Sequence, residues 1–240
     1  GHPTPTMKKI RNQLILQYIV LFILLPCFAL LPVQLQANPS GAEVISGEVE
    51  IESFGNTLSI LQESDKAIIE WEGFSIGGGE LTEFIQPGSS AAALNRVTGS
   101  SQSLIDGTLR ANGHVWLVNQ NGIIVGPGGL IDVHSLVLST LDVSNSDFLD
   151  GDGRTTFAGP SINPLKNYGT VTTADGGDVF FAAHTVENHG SIVGGMDSRI
   201  ILIGGNEAVV DDAAGLVTVS NRVAGGIHPA VQNTGTIQGM

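Results

Sequence analysis

Three copies of a short Asn-x-Gly segment, each followed by Thr or Ser and a β-branched apolar residue, recur in the second half of this chain. The copies begin at Asn167, Asn188 and Asn233. They are separated by 21 residues (167 to 188) and 45 residues (188 to 233), close to one and two periods of roughly 22 residues. A fixed period in this range predicts a stacked repeat architecture, in which each period adds one unit to the stack.

Short runs of β-forming residues lie between the copies, for example at 178–182 and 199–203. With Asn-x-Gly turns at this period they predict an all-β fold, a parallel β-helix in which each strand pairs with its counterpart one coil away. We expect the asparagine side chains to form a ladder between coils and each glycine to adopt the left-handed conformation. A β-sandwich also has short strands and frequent turns, but it requires no such repeat. The predicted repeat-turn residues are Asn167, Gly169, Asn188, Gly190, Asn233 and Gly235.

The first part of the chain is also β-rich. Residues 42–62 alternate apolar and polar side chains around Gly55-Asn56, which predicts an antiparallel hairpin that covers the first exposed edge of the stack. Residues 67–142 contain successive apolar runs bounded by turn residues, without sustained helical periodicity. Residues 144–165 are rich in turn residues, and they predict an excursion that carries one short hairpin through Thr155–Phe157.

Charge and composition restrict the classes of partner. The formal net charge is −13, and the acidic residues are scattered along the chain. Nucleic acid and anionic membrane surfaces attract clustered Lys and Arg, so neither is an expected partner, and we expect no stable membrane insertion of the mature chain. Only 14% of the residues are charged and 32 are Gly, which favours many short strands joined by tight turns.

The N-terminal segment has the composition of a secretory signal peptide. A basic stretch at 7–11 precedes an almost wholly apolar run at 14–31. We therefore predict a signal peptide over residues 1–37, in which residues 1–6 are a leader or a cloning remnant, and a mature domain over residues 38–240. A membrane anchor is the alternative, because the apolar run is long, but no basic stop-transfer cluster follows it.

The sequence contains no arrangement of residues typical of a catalytic site. The single cysteine, Cys27, lies within the predicted signal peptide, and the histidines are dispersed without metal-ligand spacing. A calcium loop that starts at Asp150 would need an acidic residue at its last position, where Ser161 stands. We therefore expect no enzyme activity, no metal and no cofactor. A polysaccharide-active β-helix enzyme is a less favoured alternative, because the basic residues that such a site needs are few and spread out.

Several motifs, in one order, carry a family resemblance. They include Leu94-Asn95-Arg96-Val97-Thr98-Gly99, Asn119-Gln120-Asn121-Gly122-Ile123 and Ser139-Thr140-Leu141-Asp142. Together they resemble the N-terminal two-partner secretion (TPS) domain of filamentous-haemagglutinin-type exoproteins and adhesins, also called the haemagglutination activity domain. The family pattern at the central turn is Asn-Pro-Asn-Gly-Ile, and Gln120 replaces the proline here. Both asparagines and the glycine remain, so we expect the turn to survive.

The resemblance implies a right-handed, single-stranded parallel β-helix with an N-terminal β-hairpin cap and a small extra-helical hairpin. It also implies Sec export to the periplasm, recognition there by the POTRA domains of an outer-membrane TpsB transporter, and β-helix folding at the cell surface. The protein would then be secreted or held at the cell surface. The resemblance assigns partner recognition, or the fold on which recognition depends, to Asn95, Arg96, Asn119, Gln120, Asn121, Gly122 and Ile123.

Two further expectations concern the longer protein. The sequence stops at Met240 within a repeat, so we expect a C-terminally truncated fragment of an exoprotein whose missing region binds host surface receptors. The alternative function is a surface adhesin module that itself binds host glycans or proteins. That alternative predicts a face with clustered aromatic residues, which the sequence does not indicate.

Overall fold

The computed structural model describes residues 38–211, 216–220 and 230–239, and the predicted signal peptide at 1–37 lies outside the described residues. Three sheets follow one another around successive coils, and a fourth, smaller sheet lies outside them. Sheet I contains β1 (Glu43–Ser46), β4 (Lys66–Trp71), β6 (Ala92–Val97), β9 (His114–Val118), β12 (Ser135–Ser139), β17 (Val179–Ala183) and β20 (Ile200–Gly204).

Sheet II is the narrowest of the three. It contains β7 (Ser103–Ile105), β10 (Ile123–Val125), β15 (Leu165–Asn167), β18 (Thr185–Asn188) and β23 (Ala230–Asn233). Sheet III contains β2 (Val49–Phe54), β3 (Thr57–Gln62), β5 (Leu81–Ile85), β8 (Thr108–Ala111), β11 (Leu130–Val133), β16 (Thr170–Thr173), β19 (Ser191–Gly194) and β24 (Thr236–Gly239).

Strand pairing is parallel and in register from one coil to the next. In sheet II, Ile123 of β10 lies opposite Ser103 of β7 on one side and Leu165 of β15 on the other. Leu165 in turn lies opposite Val186 of β18. Alternate side chains of each strand point into the coil, where an uninterrupted column of Val, Ile, Leu and Phe forms the main core. The predicted parallel β-helix is confirmed.

The N-terminal cap has two parts. The predicted hairpin is confirmed as β2 and β3, joined through Gly55-Asn56, where Gly55 has φ +57°. Strand β3 is more than a cap, because it also pairs in parallel with β5 and so begins sheet III. Strand β1 covers the first edge of sheet I separately, by antiparallel pairing with β4.

The predicted asparagine ladder is confirmed. Asn167 Nδ2 donates to Asn188 Oδ1 at 2.8 Å, and Asn188 Nδ2 donates to Asn233 Oδ1 at 2.8 Å. Asn188 lies directly opposite Asn233 in neighbouring strands, so the spacing of 45 residues is one coil and not two. The additional residues include a second excursion, which carries β21 (Glu207–Asp211) and β22 (Leu216–Ser220).

The left-handed conformation predicted for the repeat glycines is wrong. None of Gly169, Gly190 and Gly235 has a positive φ. A Cβ on Gly190 would instead lie 2.1 Å from the carbonyl oxygen of Gly169, and a Cβ on Gly235 would lie 2.1 Å from that of Gly190. Glycine is needed at these turns because the coils approach too closely for a side chain.

The predicted excursion at 144–165 is larger than one hairpin. It contains the helix α1 (Asn145–Asp150) and β14 (Arg154–Ala158), and the short strand β13 (Asp142–Val143) directly precedes it. Ser144 caps α1 by accepting a hydrogen bond from Asp147 N, and Gly151 ends it with φ +68°. Strands β13, β14, β21 and β22 form the antiparallel sheet IV, in that order.

Sheet IV and α1 cover the outer face of sheet I. Phe148 of α1 and Phe157 of β14 pack on outward side chains of sheet I such as Leu94, Trp116 and Phe180, which forms a second core. The central strands of sheet I are therefore buried on both faces, which explains why they are apolar at most positions, whereas β1 at its edge is largely exposed.

Candidate functional site

The Asn119–Gly122 segment is a tight turn between β9 of sheet I and β10 of sheet II. Gly122 N donates to Asn119 O at 3.1 Å, which closes the turn. Gly122 has φ +110°, a conformation that few other residues adopt without strain. Ile123 is fully buried in the main core. Gln120 occupies the position that proline favours in such turns, and the turn is closed all the same. The expected survival of the turn without proline is therefore confirmed.

The two asparagines of the turn point inward and use their side chains there. Asn119 is completely buried, and its Nδ2 donates to Ser101 O and to Ser103 Oγ, both at 3.0 Å. Its Oδ1 accepts from Asn121 N at 2.9 Å and from Asn121 Nδ2 at 3.1 Å. Asn121 Nδ2 also donates to Gly99 O at 2.8 Å. These bonds tie the turn to the previous coil.

Gln120 is the exposed residue of the turn. Its carbonyl oxygen accepts from Ser161 Oγ at 2.7 Å and from Asn163 Nδ2 at 2.8 Å. Sequence reasoning missed these two residues, although the Ser-x-Asn spacing just before Pro164 is a turn signal. Through them the end of the first excursion is fastened to the turn, and the side chain of Gln120 is left on the surface.

Asn95 lies elsewhere, in the interior of the β-helix. It is completely buried in β6, and its Oδ1 accepts from Trp71 Nε1 at 3.0 Å. Its Nδ2 donates to Ala93 O and to Trp116 O, both at 3.2 Å. Asn95 therefore satisfies the buried indole N–H of the preceding coil, and no part of it is available to a partner of the folded domain.

Arg96, the next residue, points to the outside of sheet I and holds the first excursion. Its Nε lies 3.0 Å from Asp142 Oδ1, and its Nη1 donates to Asn145 Oδ1 at 2.7 Å. Its Nη2 donates to Val143 O, and its Nη1 lies 3.5 Å from Glu70 Oε1. Only 14% of the Arg96 side chain is exposed. The family motif around Asp142 thus meets the one around Arg96 in space.

The predicted site residues therefore occupy three separate places. Residues 119–123 form the corner between sheets I and II, Asn95 lies in the core, and Arg96 lies beneath the excursion. The asparagine ladder runs along a further corner, at the end of the sheet II strands. The motif at 139–142 contacts both the Asn119 turn and Arg96: Asn119 N donates to Ser139 O at 2.9 Å, and Asp142 binds Arg96.

The aromatic residues do cluster, contrary to the sequence-based expectation. The ring centroids of Trp116 and Phe148 are 5.1 Å apart, those of Trp116 and Phe157 are 5.6 Å apart, and those of Phe157 and Phe180 are 5.0 Å apart. Phe148, Phe157 and Phe180 are all at most 7% exposed. The cluster is the second core and not an open platform for a sugar.

A crevice of about 190 Å³ opens beside this core. His114 is one of its lining residues and is stacked on His134, with 5.5 Å between ring centroids. Burial lowers the pKa of His114, and repulsion from His134 lowers it further, against the opposing effect of Asp178. Asp178 Oδ1 accepts from Arg199 N at 2.8 Å and Oδ2 accepts from Arg199 Nε at 2.9 Å, so both groups are engaged with each other.

The described residues contain neither a cluster of metal ligands nor a membrane-spanning helix. In that part of the chain no three His, Cys, Asp or Glu side chains are grouped so as to hold a metal ion. Among the same residues no helix has the length and apolar character needed to cross a membrane. Asp150 and Asp152 form local turns instead, with Asp150 Oδ1 accepting from Asp152 N and Asp152 Oδ1 accepting from Arg154 N.

Comparison with known proteins gives a family match over most of the chain. The family model described as the TPS secretion domain matches residues 35–239. Two heme/hemopexin-binding proteins of Haemophilus influenzae are 40% identical over 116 residues and 39% identical over 129 residues. These regions cover 48% and 53% of this chain but only 13% and 14% of the relatives' length.

Two solved structures resemble the fold. The crystal structure of the HMW1 secretion domain from Haemophilus influenzae has a TM-score of 0.74 and 28% identity, over 83% of this chain and 53% of that one. The crystal structure of the filamentous hemagglutinin secretion domain has a TM-score of 0.50 and 17% identity, over 82% of this chain and 76% of that one. The second similarity concerns the fold alone.

Proposed function

This chain belongs to the TPS secretion domain family, and we propose that it is the export address of a large exoprotein. In this proposal the POTRA domains of an outer-membrane TpsB transporter read the domain in the periplasm, after Sec export. The domain then nucleates folding of the β-helix at the cell surface, where the protein is released or retained. The observation that carries the proposal is the family match from residue 35 to residue 239, which spans cap, coils and excursions.

The physical character of the fold supports a role in folding after transport. In sheets I, II and III the strands of each coil pair with those of the coils before and after it, so a chain that emerges from one end can add coils in order. The hairpin cap and β1 close the first edges of sheets III and I, so growth is favoured in one direction only. The described part of the chain contains no cysteine, so no disulfide fixes the chain there before transport.

Export with and without the transporter tests the proposal. The 240-residue chain is expressed in a Gram-negative host alone and together with a candidate transporter encoded beside it. We expect the protein in the medium or on the cell surface only when the transporter is present. The proposal would be refuted if the chain stayed in the periplasm to the same extent with and without the transporter, while that transporter still exported its own partner.

A second candidate function concerns ligand binding by the complete exoprotein. The two relatives are named heme/hemopexin-binding proteins, which favours a haem- or hemopexin-binding role for a longer protein that carries this domain. Because the shared region is about one seventh of those relatives, we place the binding outside the present chain. Haem titration of this chain and of the complete protein tests this, with binding expected for the complete protein alone.

A further inference from the structure

The two excursions leave the β-helix at the same corner, two coils apart. The first lies between β12 and β15 and the second between β20 and β23, so both leave between sheet I and sheet II. At that corner of the coil between them, only His184 separates β17 from β18. Strands β14 and β21 nevertheless form five residue pairs, from Arg154 opposite Asp211 to Ala158 opposite Glu207. This pairing therefore joins two coils that are not neighbours.

Asn206, at the start of the second excursion, contacts both the first excursion and the coil between them. Its backbone oxygen accepts from Gly159 N of the first excursion at 3.2 Å. Its Oδ1 lies 3.3 Å from Nδ1 of His184, which is only 1% exposed in the intervening coil. The preceding Gly205 N donates to Ala183 O of the same coil at 2.9 Å. We call β14, β21 and residues 205 and 206 the clasp.

The apolar side of the clasp belongs to the second core. Phe157 of β14 lies directly opposite Ala208 of β21, and both are buried. The Phe157 ring packs on Phe180 of the intervening coil, with 5.0 Å between centroids, and Ile203 of β20 belongs to the same core. Opening the coil of β20 therefore uncovers apolar side chains that two earlier coils contribute.

Each half of sheet IV is small without the other. Strand β14 pairs with β13 over only two residue pairs, Asp142 opposite Ala158 and Val143 opposite Phe157. Strands β21 and β22 form a single two-stranded ribbon. A two-stranded ribbon is marginally stable in water, whereas three or more strands with an apolar face hold together. Sheet IV therefore depends on the meeting of β14 with β21.

We propose that the clasp makes the coils of β12, β17 and β20 one cooperative unit, which closes when β21 reaches β14 and then opens only as a whole. In a plain stack each coil contacts only its neighbours, so the last coil opens first. With the clasp closed, the coil of β20 cannot open without separating β14 from β21. During export, which rests on the function proposed above, closure follows the arrival of β21 outside the cell and holds the earlier coils there.

Native-state hydrogen exchange of the purified chain tests the cooperative unit. We expect the slowest amides of β12, β17 and β20 to have protection factors within about threefold of one another, as for a single opening unit. Ala208→Asp places a carboxylate at a fully buried position of the clasp. In that variant the factors should separate, with β20 exchanging at least about tenfold faster than β12. A stepwise decrease from β12 to β20 already in the wild type would overturn the clasp.

An engineered disulfide tests the clasp without weakening the fold. Thr156 and Val209 lie directly opposite each other in β14 and β21, and both are partly exposed. Thr156→Cys with Val209→Cys, combined with Cys27→Ser, leaves these two as the only cysteines, and the reduced protein is the matched control. Oxidation should slow exchange in β12, β17 and β20 together, by at least about tenfold. Slowing confined to β14 and β21 would overturn the proposal.

Export with the transporter tests the use of the clasp in the cell. We expect Ala208→Asp to lower the exported amount by about tenfold, while Met196→Asp, at a position that is 58% exposed, stays within about twofold of the wild type. Export of Ala208→Asp at the wild-type level would overturn the role of the clasp in export. The exchange measurements need no transporter, so a failure there would overturn the clasp and leave the export function standing. Export of the wild type that does not depend on the transporter would instead refute the export function.

Discussion

Replacing Asn119 by alanine should destabilise the domain without altering its surface. The substitution removes four hydrogen bonds, two donated to Ser101 O and Ser103 Oγ and two accepted from Asn121. A buried hydrogen bond contributes about 0.5–1.5 kcal/mol, and a buried group left unpaired costs about 1–3 kcal/mol. Ser101 is exposed and Asn121 is partly exposed, so water replaces part of the loss, whereas Ser103 is completely buried.

We therefore expect Asn119→Ala to lower the free energy of unfolding by about 2–4 kcal/mol. For a domain of this size the melting temperature should fall by about 2–4 °C for each kcal/mol. Urea unfolding of the purified chain, followed by tryptophan fluorescence and far-UV circular dichroism, measures the change. Gln120→Ala is the matched control, because it truncates the exposed neighbour and keeps the carbonyl oxygen that Ser161 and Asn163 bind.

The control should change the free energy of unfolding by less than about 0.5 kcal/mol. The same two variants separate the two ways in which a residue contributes to export. Asn119→Ala should reduce export in proportion to the lost stability, and Gln120→Ala should reduce export at unchanged stability. A free energy of unfolding for Asn119→Ala within about 0.5 kcal/mol of the wild type would refute the reasoning, since the turn would not depend on these bonds.

Three other perturbations have expected outcomes. Arg96→Ala should lower the free energy of unfolding, measured in urea, by about 2–3 kcal/mol, because it leaves a partly buried carboxylate and a carbonyl oxygen unpaired. The exposed Arg110→Ala should lower it by less than about 0.5 kcal/mol. Equal losses would contradict the role of Arg96 in holding the first excursion. Gly190→Ala should prevent stable folding, judged by circular dichroism and protease resistance, since its Cβ would meet a carbonyl oxygen at 2.1 Å, while Gly78→Ala meets nothing within 4 Å and should fold. The pKa of His114 is lowered in the folded domain, so as the pH drops below 6.5 the unfolded chain takes up this proton before the folded domain does, and stability should fall. His114→Asn should therefore make urea midpoints less dependent on pH in that range. An unchanged pH dependence would contradict this.

The periodic part of the fold could be predicted from the sequence because the coil repeats. Asn167 and Asn188 are 21 residues apart, and their ladder follows directly from that spacing. Asn233 could not be placed correctly, since an excursion inside one coil changes the spacing in the same way as an added coil does. The pairing of β14 with β21 joins residues about 50 apart, and no local pattern reports such a contact.

The helix α1 was missed for a different reason. Six residues are too few to show helical periodicity, although Ser144, Asp147 and Gly151 carry the capping signals that the structure uses. The left-handed conformation of the repeat glycines is predicted wrongly because glycine in a turn usually adopts a positive φ. At Gly190 the requirement is the distance to the neighbouring coil, which a single sequence does not report.

The candidate site was predicted as a set of residues, and the structure separates their roles. Neighbouring residues of a strand point to opposite faces, so Asn95 faces the core while Arg96 faces the excursion. The motif sequence alone does not show which of the two faces inward. Nor does it reveal Ser161 and Asn163, which lie outside every motif and reach the turn through hydrogen bonds to the carbonyl oxygen of Gln120.

Fusion to a neutral passenger tests the central claim most directly. The chain is placed before an unrelated, disulfide-free reporter that has no export signal of its own, and the reporter is measured in the medium with and without the transporter. We predict that the reporter leaves the cell only when both the domain and the transporter are present, and that Asn119→Ala lowers the amount. Reporter that stays in the periplasm in every combination, while the transporter still exports its natural partner, would contradict the assignment of an export address.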